Sequence, residues 1–409
     1  MRLIFVNRFY WPETPATGQL LTDLAEALAA RGHEVHVITS HSGARSLPES
    51  EVQNKVQIRR VRGTRWNEHG IFGKACDFLT FYLGALGQLS FQTRRDSIVI
   101  ALTDPPLLGI GAAWIAGARG ARMVHWVQDV YPELAIELAG QFWLRLAQPL
   151  RDSAWLTADR CVALGEDMAS VIAAAGVSPS ALSIIPNWAP AGLVPPNPRD
   201  VAALRHEWGL DGKFVVAYSG NLGRVHDLGS ILALAEALRD DTTVTFAFIG
   251  GGAQRTELEA TSRQRGLHNV NFFPAQPRER LAVTLGVGDL HLVTVRPRCE
   301  RFVFPSKLYG ICAVGRPVIF IGPAECEIAT LVRTAGLGIV GTRENTTELA
   351  TAIRRLAANP MDRNAFAAAA RQFGMRHTCN SAVEQWEFLL APLGACSRPA
   401  PAAVPSLSS

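Results

Sequence analysis

Short apolar runs alternate with stretches whose apolar positions recur every three to four residues, and the alternation continues through almost the whole chain. "RLIFVN" reads as a first strand, and in "LLTDLAEALAARGHEVHVITS" Leu20, Leu21, Leu24 and Leu28 recur at helical spacing. Gly32 ends that helix and "EVHVIT" forms the next strand. The form repeats with a strand over 97–102, a Pro-rich loop, an apolar helix, a strand over 122–128 and a loop opened by Asp129. "CVALGEDMASVIAAAG" and "LSIIPN" add a strand, a helix and a strand. Beyond 212, "KFVVAYSGN", "TVTFAFIGGG", "NVNFFP", "DLHLVTV", "RPVIFIG" and "GLGIVG" alternate with helices near 227–239, 254–265, 277–287, 306–314, 325–335 and 346–358. Strands alternating with helices across both halves predict an α/β protein with two doubly wound parallel sheets, whose ligands bind outside the carboxyl ends of the strands.

The expected organisation is a first domain over 1–186, a connection over 187–212 rich in Pro, Gly and Asn with one helix, and a second domain over 213–378. A last helix, placed in 379–392, crosses back to the first domain. The tail 393–409, small residues and prolines, is expected to be disordered.

Composition narrows the class. At 409 residues the chain is too long for one ordinary core, and 48% apolar with 19% charged residues is globular. No tract reaches the roughly 18 consecutive apolar residues of a membrane span. "MRLIFVNRFYWPE" breaks at Asn7 and Arg8 and lacks a small-residue cleavage site, so it reads as a strand and not as a signal peptide. Cysteines 76, 161, 299, 312, 326, 379 and 396 show no metal spacing and read as reduced cytosolic thiols. The net charge is +4, but between Lys55 and Arg122 ten Lys/Arg face four Asp/Glu. That bias suits anionic lipid or phosphate; no nucleic-acid motif is present.

Four strand-to-loop junctions carry the candidate chemistry. In "YWPETPATGQL", Thr17 and Gly18 stand at a helix start, where backbone N–H groups can approach an oxyanion. In "YSGNLGRVHDL", Gly220, Asn221 and Gly223 precede Arg224 and His226, main-chain donors beside a guanidinium. "FIGGGAQRTELE" turns on glycines including Gly251. In "VFPSKLYGICAVGRPVIFIG", Ser306 and Lys307 open a short helix whose dipole already makes that end positive, a placement that makes sense if a phosphate sits there. Each also has a plain reading as turn, cap or solvated surface.

In combination these stretches, with "HWVQDVYPELA" and "VNFFPAQPRERL", resemble the GT-B-fold retaining glycosyltransferases of family 4 from Met1 to about Leu390. The likeness is nearest to the branch that builds bacterial O-antigen and capsule, such as N-acetylfucosaminyl transferases. The resemblance implies two Rossmann-like domains facing across a cleft, and transfer of a sugar, an N-acetylated or deoxy hexose, from a nucleotide diphosphate sugar with a UDP carrier. The acceptor it implies is a polyprenyl-diphosphate-linked saccharide at the cytoplasmic face of the inner membrane. It places Thr17 and Gly18 by the donor, Arg224 and Lys307 on the leaving diphosphate, Gln276 at the nucleobase and Asp129 beside the acceptor hydroxyl.

Three departures stand out. The two glutamates eight residues apart that the family carries are replaced by Phe302 and Gly310, and Gln128 replaces a histidine. Glu327 is the substitute expected at the ribose and Glu300 at the sugar hydroxyls. His125, on a strand, is expected to be packed and satisfied. No D-x-D occurs, so the expectation is a metal-independent enzyme without cofactor, in which Arg224, Lys307 and helix dipoles stabilise the leaving group. A nucleotide-sugar 2-epimerase of the same shape, or a non-catalytic nucleotide-sugar-binding partner, remains open.

The segment 71–95 sets Phe72, Cys76, Leu79, Leu83, Leu86 and Phe91 near one helical face and ends in Arg94 and Arg95. Such a helix lies on an anionic leaflet or packs as an ordinary helix of the first domain.

Overall fold

The computed structural model describes residues 1–13, 15–41, 47–64, 66 and 70–395. Contacts divide the chain into two units. The first holds β1 (Arg2–Val6), β2 (Glu34–Ser40), β3 (Ser50–Gln53), β4 (Val56–Val61), β5 (Ser97–Ala101), β6 (Arg122–Trp126), β7 (Arg160–Ala163) and β8 (Leu182–Ile184). Their order is β3-β4-β2-β1-β5-β6-β7-β8, parallel except for β3 against β4. β1 and β5 are buried at every position, the mark of a sheet covered on both faces. The covering helices are α1 (Ala16–Ala30), α2 (Gly70–Gln92), α3 (Leu108–Arg119), α4 (Glu133–Ala139), α5 (Gln148–Thr157) and α6 (Glu166–Ala174).

The second unit has α7 (Pro198–Glu207), β9 (Phe214–Ser219), α8 (Gly229–Ala237), β10 (Val244–Ile249), α9 (Arg255–Gln264), β11 (Val270–Phe273), α10 (Leu281–Val287) and β12 (Leu290–Thr294). α11 (Lys307–Ala313), β13 (Val318–Ile321), α12 (Glu327–Thr334), β14 (Gly338–Gly341), α13 (Thr346–Ala358) and α14 (Pro360–Arg376) follow. The wholly parallel sheet runs β11-β10-β9-β12-β13-β14. Strand order reverses between β9 and β12 here and between β1 and β5 in the first unit. These are the switch points where loops part and leave room for a ligand.

Some expectations need correction. Residues 187–212 are not a free connection: Leu204 of α7 and Leu210 pack with Val215, Ala217 and Ile249 in the second core. α14 was not foreseen, although Asn359 caps it by accepting from Met361 and Asp362 N–H, and Pro360 occupies its first turn. The β3–β4 hairpin was also missed; its turn residues Asn54 and Lys55 have φ of 48° and 66°, without the usual glycine. The last helix, α15 (Cys379–Ala395), is longer than expected and takes in the first residues assigned to the tail. From Asn380 it belongs to the first unit, where Trp386 meets Trp126 edge-on at 5.0 Å. Cys396 and residues 397–409 lie outside the described residues.

Candidate functional site

At the switch point of the second unit the loops after β9 and β10 interlock through their main chains. Gly220 N–H donates to Ile249 O, Leu222 N–H to Gly251 O and Gln254 N–H to Leu222 O, at 2.9, 2.8 and 3.0 Å. Gly220, Gly250 and Gly252 have φ of 125°, 138° and 146°, a region closed to other residues without strain. A Cβ on Gly250 would lie 2.2 Å from Gly220 O, and one on Gly252 2.5 Å from Asn221 Oδ1. Gly251, singled out from the sequence, has open space around it and no unusual φ, so the constraint belongs to its neighbours. Gly223 likewise keeps an ordinary φ, with Asn221 Nδ2 3.0 Å from where a Cβ would be.

Lys307 reaches into this cluster. Its Nζ is out of water with no hydrogen-bond partner, 3.6 Å from the centroid of the Tyr218 ring and against Gly220. Burial holds its pKa well below the ordinary 10.5. Tyr218 is fixed by donating to Asn221 O at 3.0 Å, and His226 by a 2.8 Å hydrogen bond between Nδ1 and Thr294 O. Burial first, and the Lys307 ammonium second, lower His226 to about 3, so that ring is neutral. An ammonium facing a π cloud, with no carboxylate against it, is built to take an anion brought by a ligand.

The neighbouring candidates differ in how they are held. Ser306 already has helical dihedrals and makes no side-chain cap hydrogen bond. Arg224 is exposed at the rim of the glycine loop. Glu300, in the turn after β12, keeps Oε2 buried without a partner, one of the few such carboxylate atoms among the described residues. Arg298 in that turn has φ of 72°, strain of the sort that collects at functional loops. Gln276 lies beyond β11, its side chain turned to Pro274 O at 3.3 Å. Glu327 opens α12 after β13, where its charge raises the Tyr309 phenol after burial has done so.

In the first unit the loops after β1 and β5 are tied by an ion pair, Arg8 Nε to Asp104 Oδ1 at 2.9 Å. Thr17 and Gly18 lie inside the first turn of α1, not before it, and Gly18 is bare because a Cβ would sit 3.0 Å from Phe9 Cβ. Asp129, after β6, is half-buried, and its N–H donates to Thr103 Oγ1 at 3.0 Å. Burial, with Asp104 second, pushes its carboxyl up to about 7. Among the described residues no hydrogen bond joins this carboxylate to the start of α4, so Asp129 does not serve that helix as a cap. Beside it a cavity of about 20 Å³, room for one water, is lined by Thr103, Gly109, His125, Asp129, Tyr131 and Arg151. His125 is buried as expected and hydrogen-bonds the Ala154 main chain, but its Nε2 has no partner, and burial lowers the ring to about 4.

Sequence reasoning missed Tyr218, Gly250, Gly252 and the Arg8–Asp104 pair. Only the glycine run in "FIGGG" was a usable signal, since the others depend on which strands become neighbours. An open groove of about 650 Å³ between β8 and α15, lined by Arg160, Ser183, Glu384 and Phe388 among others, holds none of the candidates. Among the described residues no three His, Cys, Asp or Glu side chains converge as a metal site would require, and no helix is long and apolar enough to cross a membrane.

The family described as "Glycosyl transferase 4-like domain" matches residues 17–188, and "Glycosyl transferases group 1" matches 200–373. WcaI of Escherichia coli (strain K12), named as a colanic acid biosynthesis glycosyl transferase, is 30% identical over 374 residues, covering 87% of this chain and 92% of its own. Two solved structures share the fold. The sucrose-phosphate synthase of Thermosynechococcus elongatus is 17% identical with a TM-score of 0.77, covering 97% of this chain and 100% of its own. Anabaena HepE, solved in complex with UDP-glucose, is 18% identical with a TM-score of 0.74, covering 96% and 100%.

Proposed function

The chain belongs to the glycosyltransferases, a 4-like domain followed by a group 1 domain on two Rossmann-like α/β units, and from that premise we propose what it transfers and how. The donor is a nucleotide diphosphate sugar with a UDP carrier and an N-acetylated or deoxy hexose. The acceptor is a lipid-linked saccharide in the assembly of a cell-surface polysaccharide at the cytoplasmic face of the membrane, and the anomeric configuration is retained. The name of WcaI and the UDP-glucose held by HepE support this reading.

The observation that carries it is the buried Lys307 ammonium, unpartnered among interlocked glycines at the switch point. Its missing counter-charge is the donor diphosphate, with Arg224 closing from the rim and the backbone N–H groups of Asn221 and Gly223 below. As the glycosidic bond to phosphate breaks, charge grows on the leaving diphosphate where this ammonium already sits, so the transition state gains more than the ground state. Glu300 takes a sugar hydroxyl on its buried Oε2. Gln276 and Glu327 serve the nucleobase and ribose, and Thr17 and Gly18, at the start of α1, serve as further donor-binding residues. Asp129 orients the acceptor hydroxyl or accepts its proton. Charge on the leaving group is met by side chains, so the reaction proceeds without a divalent metal.

One experiment tests the core of this. The protein is heated with a panel of UDP-, GDP- and dTDP-sugars, and the stabilising donor is then incubated with acceptor and a chelator. Release of nucleoside diphosphate only when acceptor is present supports transfer. Release without acceptor points to a hydrolase, conversion of the donor into an epimeric nucleotide sugar without net release points to the epimerase, and binding with neither points to the non-catalytic partner.

A further inference from the structure

Because β4→β5, β5→β6 and β6→β7 all step in one direction along the first sheet, right-handed crossovers put α2, α3 and α5 on the same face, with α1 on the other. Side-chain packing agrees: Leu86 of α2 lies over Gly111 of α3, Arg119 of α3 donates to Ser90 of α2, and Ile110 of α3 lines one cavity with Ala154 and Trp155 of α5. The outer surface of these helices is apolar. Phe72 and Phe91 of α2 are 86% and 85% exposed, Trp114 of α3 76%, and Trp143 and Leu146, in the 3₁₀ turn Phe142–Ala147 before α5, 67% and 82%. Exposed apolar surface spread over three adjacent helices exceeds the single scattered residues normal for a soluble surface.

The charges choose the occupant. Exposed arginines border the surface at Arg94, Arg95, Arg119 and Arg145. Within α2, α3 and residues 141–157 the carboxylates are Asp77 and Asp152, and both are engaged: Asp77 accepts from Trp66 N–H at 2.9 Å and Asp152 pairs with Arg151 at 2.6 Å, while just past α2 the exposed Asp96 stands beside Arg95. Tryptophan and phenylalanine beside arginine, without an opposing exposed carboxylate on these elements, match the boundary of an anionic bilayer, where rings sit at headgroup depth and guanidinium groups meet phosphate. We propose that this three-helix face, not α2 alone, docks the protein on an anionic membrane leaflet. This goes beyond the sugar-transfer reading and is independent of it.

The test is sedimentation of the full chain with phosphatidylcholine vesicles, with and without phosphatidylglycerol, in the absence of donor and acceptor. Wild type should pellet with the anionic vesicles and much less with phosphatidylcholine alone. Two variants probe separate helices: Trp143→Ser with Leu146→Ser, and Phe72→Ser with Leu83→Ser. Each should keep the wild-type thermal transition and lower the partition coefficient about tenfold or more. The proposal is overturned if wild type stays in the supernatant, or if either folded pair binds as wild type does. It is also overturned if wild type forms a concentration-dependent dimer that the Trp143 pair dissolves, since the face then belongs to a second copy. Because no sugar chemistry enters the assay, each of these outcomes leaves the transferase reading where it stands.

Discussion

Replacing Lys307 with methionine should move stability and affinity in opposite directions. In the free protein the ammonium is a buried group without a hydrogen bond, a cost of about 1–3 kcal/mol or more, offset by a cation–π contact with Tyr218 of about 0.5–2 kcal/mol. Methionine fills a similar volume without the charge, so the free protein should gain about 1 kcal/mol, or roughly 2–4 °C in Tm for a unit of this size. Bound UDP loses a charged hydrogen bond worth about 1.5–3 kcal/mol, and affinity should fall roughly 10- to 150-fold. The pH dependence has a definite sign. The folded pKa of Lys307 is lowered, so its destabilising effect is complete below that folded value and disappears as pH rises past the ordinary 10.5. The stability gap between methionine variant and wild type should close accordingly toward alkaline pH. Binding a diphosphate raises the pKa again, so UDP binding should take up protons that the variant does not. Calorimetry in buffers of different ionisation enthalpy measures this uptake, and differential scanning measures Tm. A variant less stable than wild type, with unchanged UDP affinity and proton uptake, would refute the assignment.

Asp129→Asn should leave UDP affinity unchanged and lower turnover by about 10²-fold or more. Wild-type turnover should rise through about pH 7 as the carboxyl ionises, and since that raised pKa destabilises the fold only as pH climbs from its ordinary 3.8 to about 7, the variant should be the more stable protein at pH 8. Gly250→Ala forces a Cβ against Gly220 O and should cost about 2 kcal/mol or more, read as a lower denaturant midpoint together with weaker UDP binding; an unchanged midpoint would remove the interlocked-loop argument. Arg94→Glu with Arg95→Glu should weaken binding to anionic vesicles by about 1 kcal/mol or more per residue, with the loss reduced at high salt.

Much of the fold is legible because it is local. α13 was expected over 346–358 and spans Thr346–Ala358, since Leu349, Ile353 and Leu356 mark a single face and Asn359 ends it. α14 is missing from the sequence reading, although Asn359-Pro360 is a cap followed by a first-turn proline. In the site, the glycine loops and Lys307 could be read directly. What the sequence does not show is that Tyr218, from the end of β9, comes to lie beneath a lysine 89 positions later. That meeting requires β12 to pair with β9 instead of β11, a choice made by the whole sheet. The unsatisfied nitrogen of His125 was hidden for the same reason: burial was foreseeable, the cavity was not.

The interlocked loops of the second unit also bear on how such an enzyme can be re-engineered. The seat beneath Lys307 is main chain fitted to main chain, with Gly250 and Gly252 leaving no room for even a methyl group and Gly220 held at a φ that other residues rarely adopt, so substitution there has little to offer. The side chains at Glu300, Gln276 and Glu327 stand on separate loops, after β12, β11 and β13, and none is part of that seat. On the roles proposed above, libraries aimed at a new sugar or a new base belong on those three loops, with the glycines held fixed, because a preference exchanged there would leave the proposed phosphate grip intact.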